Sequence, residues 1–269
     1  MTMPEASLHL SFTGGGARGY AHIGFLKAIE KLALKPGEVS GSSIGSLMAA
    51  LYASGYSASE IEERLLNLKL KEIRRYDYRH ISRHRMKALG FWDLSPYQSL
   101  IHKWLAGARF KEMPMRLFIQ ATDLTHFRYV IFSAGTHPEM EVSFAVRASC
   151  TYPCMITPVR YEGAVLVDGG VFMDLRQVRA RRIIVSNVSS FGQEHQEVIN
   201  SIPKVLMAYL RFREYTSTPP FIFKPGGRVI LVNHDFQAAT LHMPEVEERT
   251  KIISRARRTT VEALRRFKP

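Results

Sequence analysis

Residues 39–46 read Val39-Ser40-Gly41-Ser42-Ser43-Ile44-Gly45-Ser46. Gly41, Ser43 and Gly45 form a G-x-S-x-G pattern, the spacing of a sharp turn that carries a strand into a helix and leaves the central serine in the open. Glycine two positions to either side lets neighbouring backbone approach where a Cβ would collide. Both flanks suit this turn. Glu38-Val39-Ser40 fits the end of a short strand, and the apolar run from Ile44 to Ala53 fits a helix. The positive end of that helix would face Ser43 and favour negative charge developing there. The pattern alone also describes a Gly/Ser-rich turn before a helix, so its meaning depends on the rest of the chain.

Upstream, Leu8-His9-Leu10-Ser11-Phe12 alternates as a short strand does and runs into Gly14-Gly15-Gly16-Ala17-Arg18-Gly19. A helix is expected next, with Ile23, Leu26, Ile29 and Leu32 along one face. Strand, glycine loop and helix make a cradle for an anion, because backbone N–H groups and the helix dipole converge there. The anion is either a phosphate or the oxyanion of an acyl-transfer intermediate. No G-K-[ST] follows the glycines, so this is not a Walker loop. Gly14-x-Gly16-x-x-Gly19 matches a dinucleotide fingerprint formally. The acidic residue that fingerprint needs about 20 residues on has no strand-end candidate; Glu30 falls inside the expected helix and Glu38 precedes the serine turn.

Downstream, Gly55 can stop the helix that begins at Ile44. Ser57-Ala58-Ser59-Glu60 is a capping box opening a helix expected over 58–72. A basic stretch follows over 69–87, with Lys69, Lys71, Arg74, Arg75, Arg79, Arg83, Arg85 and Lys87 interleaved with Tyr76, Tyr78, His80 and His84. It reads as a solvated charged face or as a patch for phospholipid head groups. Further helices are expected over 95–104, 141–149, 194–215 and 245–267. Strands are expected over 115–121, ending at Thr122-Asp123, and over 128–132, 164–167, 182–186 and 228–232. The 164–167 strand delivers Asp168-Gly169-Gly170 at its end. Strands alternating with helices predict one α/β domain over 1–269, with a mostly parallel central sheet flanked by helices. Reactive groups gather beyond the carboxyl ends of such strands, which would bring the Gly14–Gly16 amides, Ser43 and Asp168 together.

In this order, Gly14-Gly15-Gly16-Ala17-Arg18-Gly19, Gly41-Ser42-Ser43-Ile44-Gly45 and Asp168-Gly169-Gly170 resemble the motifs of the patatin-like phospholipase family. Ala121-Thr122-Asp123-Leu124-Thr125 and Ala145-Val146-Arg147-Ala148-Ser149 resemble bacterial members. The likeness covers roughly residues 8–188. It implies a Ser-Asp dyad, with Ser43 as nucleophile and Asp168 as general base. It also implies an oxyanion hole built from the amides of Gly14, Gly15 and Gly16, with Arg18, Gly41, Gly45, Gly169 and Gly170 in support. A phospholipid or other acyl ester is the implied substrate, and neither metal nor organic cofactor is implied. A Ser-Asp-His triad would also fit chain order, with His195, His234 or His242 as third member, but none of these has a motif around it. His22, inside the first helix, reads as a packing or surface residue. The chain departs from the family after Asp168-Gly169-Gly170: an Asn-Pro-x-Pro-like segment is usual there, whereas this chain has Val171-Phe172-Met173-Asp174-Leu175.

Composition bounds these readings. The 269 residues are 46% hydrophobic, enough for one sizeable core, and carry a formal charge of +13. Such a surface favours anionic partners. Contact with an anionic membrane through 69–87 is expected, and no specific nucleic acid, because charge is present without a recognition motif. Cys150 and Cys154 are the only cysteines; their spacing matches neither a zinc site nor a redox pair, and both read as small buried hydrophobes. No signal-peptide pattern and no long apolar run is seen. The chain reads as cytoplasmic, peripheral to a membrane at most. Two other classes remain open at this stage: an idle module of the same fold that binds anionic membranes, and a basic nucleic-acid binder.

Overall fold

The computed structural model describes residues 8–76, 90–189, 228–234 and 244–265. Strands β1 (Leu8–Phe12) and β2 (Glu38–Ser42) are buried along their whole length, as central strands covered on both faces must be. Helix α1 (Tyr20–Lys31) joins them. After β2 come α2 (Ile44–Ala53), α3 (Ala58–Leu66), the short α4 (Leu70–Ile73), β3 (Arg75–Tyr76), β4 (Trp92–Asp93) and α5 (Ser95–Trp104). Then follow β5 (Arg116–Asp123), β6 (Arg128–Phe132), α6 (Val142–Ser149), β7 (Val159–Tyr161), β8 (Ala164–Asp168), β9 (Arg182–Asn187), β10 (Arg228–Asn233) and α7 (Val246–Arg265).

The main sheet runs β10-β9-β1-β2-β5-β8-β7, with β6 also paired to β5. From β10 to β5 every pairing is parallel, whereas β6 and β8 lie antiparallel to β5. The architecture is thus the expected α/β fold with a mostly parallel sheet. Strand period sorts the side chains onto two faces. Leu8, Leu10, Phe12, Val39, Leu117 and Ile119 enter the main core, with Phe25, Leu47, Leu51 and Val146 of the helices. Helix α7 docks here against α1, burying Ile252, Ile253, Ala256, Thr260 and Leu264, which recur at helical spacing.

The opposite face is covered by an irregular strap, residues 171–180. Met173, Leu175, Val178 and Ala180 of the strap pack with Phe118, Ile183 and Val185. Polar side chains on the same face hold its backbone. Glu38 accepts from the N–H groups of Arg179 (2.9 Å) and Ala180 (2.7 Å). Its carboxylate also lies 3.2 Å from the Arg116 guanidinium and 3.5 Å from the His9 ring. These groups take the place of water for a fully buried charge.

Strand β5 has an unusual arrangement of neighbours. One edge pairs residues 119–123 with β6. The other is shared end to end: β2 pairs with residues 116–120 and β8 with 121–123. Two strands approaching from opposite directions therefore meet along one edge, Ser42 opposite Gln120 and Asp168 opposite Ala121.

Several boundaries differ from the expected ones. The helix expected over 58–72 breaks after Leu66, because Asn67 turns its side chain back and donates to the Glu63 carbonyl at 3.0 Å, competing with the next helical turn. Its capping box forms between Ser57 and Glu60 as the spacing predicts. Strand β5 ends at Asp123, within the expected Thr122-Asp123 end, with partners on both edges. The helix expected over 194–215 and the 77–89 part of the basic stretch lie outside the described residues. Within the described part of that stretch, Arg75 pairs with Asp93 at 3.0 Å and Arg74 lies over the Trp92 ring.

Replacing Glu38 leaves Arg116 without its carboxylate and two strap amides without an acceptor. Glu38→Ala is expected to lower the unfolding free energy by about 3 kcal/mol in urea titrations at pH 7. A loss under about 1 kcal/mol would mean the strap does not depend on this carboxylate.

Candidate active site

Ser43 occupies the turn between β2 and α2, at φ 52° and ψ −130°. A positive φ is strained for a residue with a side chain, and the surrounding packing enforces it. A Cβ on Gly41 would come within 2.1 Å of the Gly45 carbonyl oxygen, and one on Gly45 within 2.2 Å of the Phe12 carbonyl oxygen. The pattern glycines are therefore required by close backbone approach, as the sequence predicts. The Ser43 N–H donates to the Ser149 hydroxyl at 2.8 Å, and that hydroxyl donates to the Gln120 carbonyl at 2.6 Å. Ser149 thus fastens the turn to the edge of β5.

The Ser43 hydroxyl donates to Asp168 Oδ2 at 2.6 Å. Oδ1 of the same carboxylate accepts from the Gly170 N–H at 2.9 Å. Asp168 is buried, while Ser43 is partly open. The carboxylate reaches the serine from an antiparallel strand, not from beyond a parallel one as expected. No described histidine stands between the two side chains. His234, one of the three triad candidates, is buried beside Phe25; His195 and His242 lie outside the described residues.

The glycine loop closes the third side. Gly14 packs so tightly that a Cβ there would lie 3.2 Å from the Ser43 Cβ and 2.6 Å from the Gly170 oxygen. The Gly14 N–H is already engaged, donating to the Val171 carbonyl at 2.8 Å. The Gly15 and Gly16 amides have no acceptor among the described residues, so of the three expected oxyanion donors the geometry leaves these two. Arg18 is buried, and its Nε donates to the Gly15 carbonyl at 3.3 Å. It braces the loop from within.

His22 also supports this loop and is not at the surface. Its Nε2 lies 3.0 Å from the Thr13 carbonyl, which can only accept, so Nε2 carries the proton; Nδ1 then accepts from the Ser186 hydroxyl at 2.8 Å. Burial lowers the His22 pKa to about 4, although the bond to Thr13 opposes the shift. Cys150 is half-buried behind the turn, its thiol pushed up to about 12 by burial and then by the charge of Asp168. Cys154, expected to be buried, is exposed; it follows Pro153 in a turn at φ 66°, off the core face.

A family model for patatin-like phospholipases matches residues 10–177, more than half of the chain. The chain belongs to the patatin-like phospholipase family. An uncharacterized protein of Acanthamoeba polyphaga mimivirus is 30% identical over 172 residues, covering 60% of this chain and 57% of that protein. Lysophospholipase NTE1 of Yarrowia lipolytica is 29% identical over 170 residues, covering 61% of this chain and 11% of that protein. The chain therefore spans little more than half of the first relative and about a tenth of the second. Among solved structures, VipD from Legionella pneumophila shares the fold, with a TM-score of 0.62 at 14% identity, covering 98% of this chain and 68% of that one.

Patatin-like sequences usually carry an Asn-Pro segment after the Asp-Gly-Gly motif. In this chain Gln120 holds the segment that follows. Its Nε2 donates to the carbonyls of Gly169 (2.6 Å) and Phe172 (3.0 Å), and its Oε1 accepts from the Asp174 N–H at 2.7 Å. Ser42 donates to the Gly170 carbonyl at 2.7 Å. Sequence reasoning does not single out Gln120, and it meets Ser149 only as the end of the Ala145–Ser149 segment. The available signal was a glutamine inside the apolar run Leu117-Phe118-Ile119-Gln120-Ala121, since a buried amide needs partners.

Two predictions follow from these bonds. Gln120→Leu keeps the side-chain volume but strands two carbonyls and one N–H. It is expected to cost about 2 kcal/mol in urea unfolding and to speed amide exchange at Asp174 first. The second concerns acid. His9, His22 and His234 all have pKa values below the ordinary 6.5, chiefly through burial. The unfolded chain binds these protons below pH 6.5 and the folded chain resists them. Stability is then full above 6.5 and falls as pH drops toward 4, by about 1.4 kcal/mol per pH unit for each of His22 and His234, with His9 adding in the same direction. Unfolding free energies measured between pH 7 and 5 should show this fall, and His22→Gln should remove one histidine's share of the slope.

Proposed function

We propose that the chain is a serine lipid acyl hydrolase that cleaves carboxylic ester bonds of phospholipids or lysophospholipids. The observation that carries this reading is the direct 2.6 Å bond from the Ser43 hydroxyl to Asp168, on a strained turn at a helix N-terminus. A serine hydroxyl is a weak nucleophile until a base takes its proton during attack. Asp168 is within the reach such a transfer needs, and its second oxygen is held by Gly170, so the carboxylate does not turn away.

In the first half-reaction Ser43 Oγ attacks the ester carbonyl while Asp168 takes the hydroxyl proton. The carbonyl oxygen becomes an oxyanion beside the Gly15 and Gly16 amides. Loss of one such donor typically costs about 3–4 kcal/mol of barrier. Collapse breaks the ester C–O bond, and Asp168 returns the proton to the departing alcohol, a lysolipid or glycerophospho group. In the second half-reaction Asp168 takes a proton from water, which attacks the acyl-serine. Collapse breaks the acyl C–Oγ bond, Asp168 returns the proton to Ser43 Oγ, and the fatty acid leaves with both residues regenerated. Family membership and the likeness to a lysophospholipase support this substrate class. An idle binding module would not need the serine and carboxylate held at this distance on a strained turn.

Labelling with a fluorophosphonate checks the reading. Wild type should react, Ser43→Ala should not, and Asp168→Asn should react at least about a hundredfold more slowly. A folded wild type that stays unlabelled, with or without lipid, would leave the binding-module reading in its place.

A further inference from the structure

The turn between β5 and β6 sits on the same rim of the sheet as Ser43. β5 runs parallel to β2, and its last paired residue before the turn is Asp123, opposite Arg128. Asp168 pairs with Ala121, so the tip of the hairpin stands four residues further on, roughly 13 Å beyond the Ser43–Asp168 level. Every residue from Leu124 to Tyr129 is exposed. Among the described residues, five large hydrophobic side chains are exposed, and three of them are here: Leu124 at 45%, Phe127 at 92% and Tyr129 at 54%.

The tip is firmly built. Asp123 accepts from the N–H groups of Thr125 (2.9 Å) and His126 (3.2 Å) and from the His126 ring (2.7 Å). The Leu124 N–H donates to the Val165 carbonyl at 2.9 Å, and Thr125 Oγ1 accepts from the Val165 N–H at 3.0 Å. At its apex Phe127 takes φ 53°, a conformation that glycine or asparagine adopts more cheaply. A large aromatic side chain here carries a backbone penalty and a hydration penalty, and it touches no core. Such a local cost points to a role outside the fold.

We propose that this hairpin tip is a wedge that seats the rim around Ser43 on a phospholipid surface containing acidic lipids. The inference rests on the lipid hydrolase reading above. A convex tip with one projecting aromatic ring matches insertion between head groups better than it matches a flat protein interface. Tyr129 stands where an amphipathic ring favours the membrane–water boundary. Arg128 is exposed beside the ring, its Nε 3.5 Å from Asp123, which also holds the His126 ring; Arg160 is exposed on β7, across β8. These two arginines suit acidic head groups, with Glu162 exposed in the neighbouring turn. The position differs from the basic 69–87 stretch.

The test uses the full chain and vesicles of mixed phosphatidylcholine and phosphatidylglycerol. Phe127→Gly should keep or slightly raise the melting temperature, since glycine relieves the left-handed backbone. Its partition onto vesicles should weaken roughly tenfold. Phe127→Trp should keep vesicle binding and show blue-shifted emission on adding vesicles, measured against the background of Trp92 and Trp104. Vesicle binding unchanged in Phe127→Gly, or no emission shift in Phe127→Trp, overturns the proposal. So does a wild-type dimer that Phe127→Gly dissociates without effect on vesicles, which would make a second copy the occupant. Wild-type turnover of a short, water-soluble ester tests the hydrolase reading separately. Its absence alongside Phe127-dependent vesicle binding would sink the chemistry and leave the docking surface standing.

Discussion

One edge of β5 is divided between two strands that arrive head to head, and the candidate site is a consequence of that division. β2 fills the edge as far as Gln120 and β8 fills it from Ala121 onward. Neither strand can continue, because the other occupies its path. β2 escapes through the strained turn at Ser43, and β8 ends at Asp168 and turns through Gly169 and Gly170. The hydroxyl and the carboxylate meet because the two chain reversals are forced at the same place. Ser149 ties the junction together: its hydroxyl holds Ser43 and β5, and its carbonyl accepts from the Gly169 N–H.

The face of the sheet behind this junction is more polar than buried sheet faces usually are. His9, Ser11, Glu38, Ser40, Ser42 and Gln120 are all buried there. An irregular strap explains them. A helix satisfies its own backbone and can be covered by apolar side chains alone, but residues 169–180 present amides and carbonyls that the sheet must satisfy. Gln120 serves three of them, Ser42 one and Glu38 two. His9 and Ser40 extend the network inward, with His9 Nε2 2.7 Å from the Ser40 hydroxyl. The same strap carries the Val171 carbonyl that engages Gly14, so the packing of one face reaches the glycine loop on the rim.

Much of this was legible in the sequence, and the parts that were not have physical reasons. The G-x-S-x-G turn, the glycine loop and the Asp-Gly-Gly end are local devices whose residue types follow from backbone geometry, so they read directly. The alternation in Leu8–Phe12 marked a strand, though its polar positions face a strap instead of solvent. The direction of β8 was not readable, because Ala164–Val167 is apolar in either orientation. Whether the Gly14 amide is free depends on Val171, more than 150 residues away. Gln120 and Ser149 act through several long-range bonds each, which leave no periodic trace. His22 looked like any helix histidine until the fold placed Thr13 and Ser186 at its two nitrogens.

The bond between Ser43 and Asp168 joins positions 125 residues apart. A chain emerging from the ribosome carries its serine turn long before it carries the carboxylate. Contacts this distant in sequence close late, because a large loop must be ordered before the contact gives anything back. The serine turn is therefore made first, and the carboxylate reaches it only once β8 has taken its place on β5. Until then Ser43 stands without Asp168. Assembly of the sheet is itself the step that brings the two together.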